Sequence, residues 1–151
     1  MKLCHAALLL SILVGVQSAA QQPTAQDAGF GKIVVRLLNG KNGRPLRNEY
    51  PSIWLGNASG INPKTDANGQ ITVDISRVQP RTVRVLGNYY VDCRPRGRDK
   101  LATMNVSYSL DEIIAKGIVT ENDCGKSQVD PIPGVLVLYL RPMTFIEKWE
   151  L

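Results

Sequence analysis

Thr65-Asp66-Ala67-Asn68-Gly69-Gln70-Ile71-Thr72-Val73-Asp74-Ile75 is a polar turn that runs straight into an alternating strand. Asp66 and Asn68 are short enough to bond their own backbone, and Gly69 can take the positive φ of a tight reversal. Beyond the turn, Ile71, Val73 and Ile75 point one way while Gln70, Thr72 and Asp74 point the other. That is the period of a half-buried strand. The chain past residue 30 reads as further strands packed around this hairpin. Calcium is a poor reading of the turn, because an EF-hand loop counted from Asp66 needs Gly at position six and Glu at twelve, where Ile71 and Arg77 stand.

Outward from the hairpin, residues 32–38 form a strand with Ile33, Val35 and Leu37 on one face. Val34 and Leu38 make the other face apolar too, so the strand is expected to be covered on both sides. Asn-Gly pairs and Pro45 mark residues 39–46 as a turn region. Residues 52–56 supply the next strand, with Ile53 and Leu55 inward and Trp54 turned away, as an edge cover or part of a surface patch. Residues 82–86 follow, and Gly87-Asn88 breaks or bulges the strand, after which Tyr89, Val91 and Cys93 continue on one face. Arg94 to Lys100 reads as a loop and residues 102–108 as a weaker strand. Ser109-Leu110-Asp111-Glu112 matches a capping box, with Glu112 reaching back, and Gly117 stops the helix, predicting two turns over Leu110–Lys116 held by packing and a nearby disulfide. Residues 134–140 are the most hydrophobic strand and read as central. The tail places Phe145, Ile146 and Trp149 near one another, as a helical turn or a short strand.

About six or seven short strands between Gly, Pro and Asn turns predict an all-β sandwich with one inserted helix. Residues 32–38, the Gly43-Arg44-Pro45-Leu46 turn, Ile53-Trp54-Leu55 and Thr65 to Ile71 together resemble the carboxypeptidase regulatory-like family of prealbumin-type, Ig-like sandwiches. The resemblance covers roughly residues 32–92, with Ile71 where that family more often has an aromatic. It implies an accessory domain: a small exported module, an adhesive or carbohydrate-associated attachment, or a domain beside a peptidase. The helix near 110–116 and the cysteine-bearing loop have no counterpart in it.

The ends and the composition narrow the setting. Lys2, the apolar run from Ala6 to Val16 and the small residues Ser18 and Ala20 form a signal-peptide pattern, placing cleavage after Ala20. Residues 21–31 read as a leader, 32–142 as the domain and 143–151 as a tail on it. No later stretch approaches the ~20 apolar residues of a spanning helix, so the mature chain is expected to be exported, periplasmic or secreted. Losing Lys2 lowers the formal charge of +5 by one, a modest excess that calls for no nucleic-acid partner. Of three cysteines, Cys4 leaves with the signal, and Cys93 with Cys124 is predicted to form one disulfide.

The only histidine, His5, is also in the signal, which removes Ser-His-Asp and histidine-ligated zinc chemistry. No cofactor, metal site or catalytic set is expected. Asp111-Glu112 suits the positive end of a helix better than paired acid–base work. The best binding candidate is the cluster Arg94, Arg96, Arg98 and Lys100, whose forked cations could hold an acidic glycan or another anion. Solvated loop charge is the ordinary alternative. Trp54, Tyr89, Tyr90, Tyr139 and Trp149 could form an aromatic platform for a sugar or protein, although aromatics also fill cores and cover edges. The expected role is a non-catalytic module that binds a protein or acidic glycan of the envelope or extracellular space, with a self-associating structural subunit as the alternative and an uncharacterised hydrolase, or an accessory to one, as the third reading. Asn57-Ala58-Ser59 and Asn105-Val106-Ser107 match the glycosylation acceptor pattern, which matters only in a eukaryotic source.

Overall fold

Six consecutive residues of β1 (Lys32–Asn39) are buried, which a strand achieves only when both of its faces are covered. The computed structural model describes residues 31–76, 81–87, 89–95 and 106–149, and it shows what covers each face. β1 pairs in parallel with β8 (Val135–Pro142) and antiparallel with β3 (Gln70–Asp74). The other edge of β8 carries β7 (Ile118–Val119) at its start and β5 (Tyr90–Asp92) at its end, completing a five-stranded sheet. A second sheet runs β2 (Ser52–Leu55), β4 (Thr82–Leu86), β6 (Ser107–Ser109). The chain is a small β-sandwich of mixed sheets with two short helices and one disulfide.

Between the sheets, Ile33, Val35 and Leu37 of β1 meet Leu136, Leu138 and Leu140 of β8, Ile53 and Leu55 of β2, and Val83 of β4. The outer face of the larger sheet carries a second cluster of Val34, Leu38, Val135, Val137 and Tyr139, roofed by the loop that holds Val129 and Ile132. Cys93 and Cys124 are joined by a disulfide across this outer face, so the sandwich has a third, partial layer. Arg36 lies buried in the same layer, and that burial pushes its pKa down.

The turn that opens the fold is built as its residues dictate. Asp66 Oδ1 accepts from the amides of Asn68 and Gln70 at 2.8 and 2.7 Å, and Gly69 has φ of +70°. The strand after it behaves differently from a hairpin arm, because β3 pairs with β1 rather than with the chain before the turn. The turn is therefore a corner: the Gly69 carbonyl accepts from the amide of Leu37, and the Leu37 carbonyl in turn accepts from the amide of Leu46.

α1 (Leu110–Lys116) lies where the capping box places it, with Ser109 Oγ accepting from the Glu112 amide. Glu112 does not reach back; its carboxylate goes forward to Lys116 at 2.8 Å. The helix is also not held by the disulfide, which sits on the opposite face of the sheet. A helix of this length is marginal alone. Burial of Leu110 and Ile113 in the inter-sheet core, at about 1.5–3 kcal/mol for each such side chain, holds it instead. Near Gly87 the chain crosses from the smaller sheet to the larger, so β4 and β5 are separate strands rather than one bulged strand. Gly134 and Gly117 both donate to the Ile113 carbonyl, tying the helix end to the start of β8.

Candidate functional site

One end of the sandwich gathers aromatic side chains from three segments. The strap before β2 contributes Glu49, Tyr50 and Pro51, the sheet crossover contributes Gly87, Tyr89 and Tyr90, and Leu140 of β8 forms part of the floor. Together with Leu37 and Leu46 they line a pocket of about 180 Å³ with largely apolar walls. The Tyr90 hydroxyl donates to Glu49 Oε1 at 2.6 Å, which fastens the strap to β5. Burial, the hydrogen bond to Glu49 and the Glu49 charge together push the Tyr90 pKa up to about 12. Glu49 is positioned from its other side by its own amide, which donates to Thr65 Oγ1, while Thr65 donates to the Leu46 carbonyl. Tyr89 has φ of +63° and is 69% exposed on the rim, and the ammonium of Lys64 lies 5.9 Å from the centre of the Tyr50 ring.

The tail leaves from this rim. The Met143 amide donates to the Tyr89 carbonyl, and α2 (Phe145–Trp149) follows. Thr144 and Glu147 form a reciprocal capping pair: the Glu147 amide donates to Thr144 Oγ1, and Glu147 Oε2 accepts from the Thr144 amide. Arg141 of β8 adds two charge-assisted bonds to the Glu147 carboxylate, at 2.8 and 2.6 Å. Those arginine bonds lead the causes that hold the Glu147 carboxyl well below the usual carboxylate range. So short a helix has no stability of its own, and the clamp at its base fixes it. It buries nothing: Phe145, Ile146 and Trp149 are 74%, 70% and 77% exposed, with the two rings edge to face at 5.6 Å.

The residues singled out in the sequence are distributed unevenly. Tyr89 and Tyr90 flank the pocket, and Trp149 stands on the helix that starts at its rim. Tyr139 is fully buried in the outer-face cluster and takes no part in a surface, and Trp54 does not join them either. It lies on the outer face of the smaller sheet, half-buried under the Arg84 guanidinium at 4.8 Å and against Gly60. Arg94 is held by Asp92 at 2.6 Å and lies 5.6 Å from the centre of the Tyr108 ring, which bridges β5 of one sheet to β6 of the other. With its side chain 17% exposed, Arg94 closes the edge of the sandwich. Arg96, Arg98, Lys100 and Asn105 lie outside the described residues; Asn57 is exposed in the turn after β2.

Sequence reasoning missed Tyr50 and Glu49, which carry no motif. It also missed the Thr144-Phe-Ile-Glu147 capping box, whose spacing was available to find it. Among the described residues, no group of His, Cys, Asp and Glu is arranged to hold a metal ion, and no helix is long and apolar enough to cross a membrane. No protein-family model matches the chain, and no curated protein or solved structure matches it either.

Proposed function

We propose that the protein is an exported, non-catalytic β-sandwich module that binds a macromolecular partner through its aromatic end. The observation that carries this reading is the clustering of exposed apolar side chains. Of the seven large hydrophobic side chains exposed among the described residues, Tyr50, Tyr89, Phe145, Ile146 and Trp149 belong to the pocket rim or to the helix beside it. Single exposed hydrophobics are ordinary, whereas a contiguous patch beside a pocket costs solubility and marks an interaction surface. The capping box and the arginine clamp strengthen the case, because they hold an apolar turn in water instead of folding it onto the core.

The rest of the reading rests on the sequence. The signal-peptide pattern supports export, the lack of a histidine after residue 20 supports a non-catalytic role, and the likeness to carboxypeptidase regulatory-like domains supports an accessory one. The apolar character of the aromatic end favours a protein over an acidic glycan. The basic loop is the second candidate surface, with Arg94 already committed to Asp92. Affinity capture from the native exported fraction tests the choice. The mature chain is compared with a Trp149→Ala/Tyr89→Ala variant and with one lacking Arg96, Arg98 and Lys100. A partner retained by the loop variant and lost by the aromatic variant is the expected result; the opposite pattern would overturn it.

A further inference from the structure

We infer that the partner seated at the aromatic end is a second copy of this chain, each copy placing its α2 in the pocket of the other. The inference rests on the proposed binding surface and names its occupant. Knob and hole lie on one face: the pocket rim and the base of α2 are joined at Tyr89 by the Met143 hydrogen bond. A surface that carries both halves of a contact is self-complementary, and a two-fold axis satisfies both halves at once and closes the assembly. Within one chain the knob does not fill the hole, since α2 buries none of its residues.

Size, area and charge all fit this occupant. The pocket holds about 180 Å³, and a cavity of roughly 150 Å³ already accepts a benzene ring, so one aromatic side chain of the tail can enter. Phe145, Ile146 and Trp149 together would remove roughly 450 Å² from water in each copy, and with the small pocket face added the two contacts bury roughly 1,000 Å² in all, the size of a weak, transient dimer. Charge selects the orientation. The tail brings the exposed Lys148, and the pocket wall presents the Glu49 carboxylate, so tail into pocket sets opposite charges together. A self-contact of tail on tail would instead oppose two Lys148 side chains.

Sedimentation velocity of the exported protein, disulfide intact, tests this from micromolar to millimolar concentration. The wild type is expected to convert from monomer to dimer, and Trp149→Ala to weaken the dimer at least about tenfold, as loss of a buried aromatic anchor does. Because Trp149 is exposed, that variant keeps its fold. Lys148→Glu, on the exposed tail, is also expected to dissociate the dimer, since it places like charges at both contacts. A monomer at every concentration, or a dimer indifferent to Trp149→Ala or to Lys148→Glu, would overturn the inference. So would a monomer that moves onto anionic phospholipid vesicles, which would make the occupant a lipid surface. If the protein stays monomeric while Trp149→Ala/Tyr89→Ala loses its captured partner, only this inference fails. If that variant also keeps the partner, the binding surface fails with it.

Discussion

Gly69 shows how one residue fixes a corner. Its φ of +70° is a region that side chains rarely adopt, and a Cβ there would stand 2.6 Å from the Leu37 carbonyl oxygen and 3.0 Å from the Leu46 nitrogen. Both neighbours are backbone that the β1 register holds in place. Gly69→Ala is therefore expected to cost about 1–3 kcal/mol, read as a lower urea midpoint with an unchanged slope. Tyr90 makes the corresponding prediction at the pocket. Its raised pKa means that the folded chain binds the phenolic proton more tightly than the unfolded chain does. The stabilisation is full below the ordinary tyrosine value near 10 and is lost as pH rises through about 12. Tyr90→Phe is expected to cost about 1–2 kcal/mol at neutral pH and to flatten that alkaline loss in urea titrations. At this scale the sequence was legible where a residue's own backbone chemistry decided the outcome, as at Asp66 and Gly69. It was illegible at Glu49 and Tyr50, whose significance comes from Tyr90 across 41 positions of chain and from Lys64.

Among the elements, the two helices make opposite points. α1 was written in its capping box, and its burial follows from Leu110 and Ile113. α2 was written in the same code at Thr144 and Glu147, but the arginine that clamps it belongs to β8. The clamp needs the Glu147 carboxylate ionised, and the folded chain holds that group below its ordinary range. Its contribution is therefore present above the unfolded glutamate value and is lost as pH falls toward the lower folded one. The Thr144 and Trp149 NMR signals are expected to stay at their folded positions at about pH 4, where a free glutamate is half protonated, and to collapse only in stronger acid. Glu147→Gln is expected to release them at neutral pH. The roof over the outer face is a third case. Cys93 and Cys124 close a separation of 31 residues, and the chain-entropy model credits such a loop with roughly 3–4 kcal/mol. Replacing both by serine is expected to lower stability by about that much in denaturant titration and to raise hydrogen exchange over residues 120–132. The sequence marked the pairing, but which face the loop would roof was set by Val34, Leu38 and Tyr139, once β1 and β8 were side by side.

The whole molecule is a sandwich whose apolar pattern was readable strand by strand. Double-faced burial of β1 and the central place of β8 follow from their uninterrupted hydrophobic runs. The pairing of β3 with β1 and the division of β4 from β5 do not, because period-two patterning reports faces and not neighbours. The aromatic end was legible only in part for the same reason. Tyr89, Tyr90 and Trp149 could be named as aromatics, but their union at one end, and the separation of Trp54 from them, are products of topology. Hydrogen exchange of the disulfide-intact protein, followed from dilute to concentrated solution, tests the central claim most directly. Added protection confined to the strap at residues 46–51, to residues 87–92 and to residues 141–149 is expected. Protection confined to residues 93–100, or none anywhere on concentration, would contradict it.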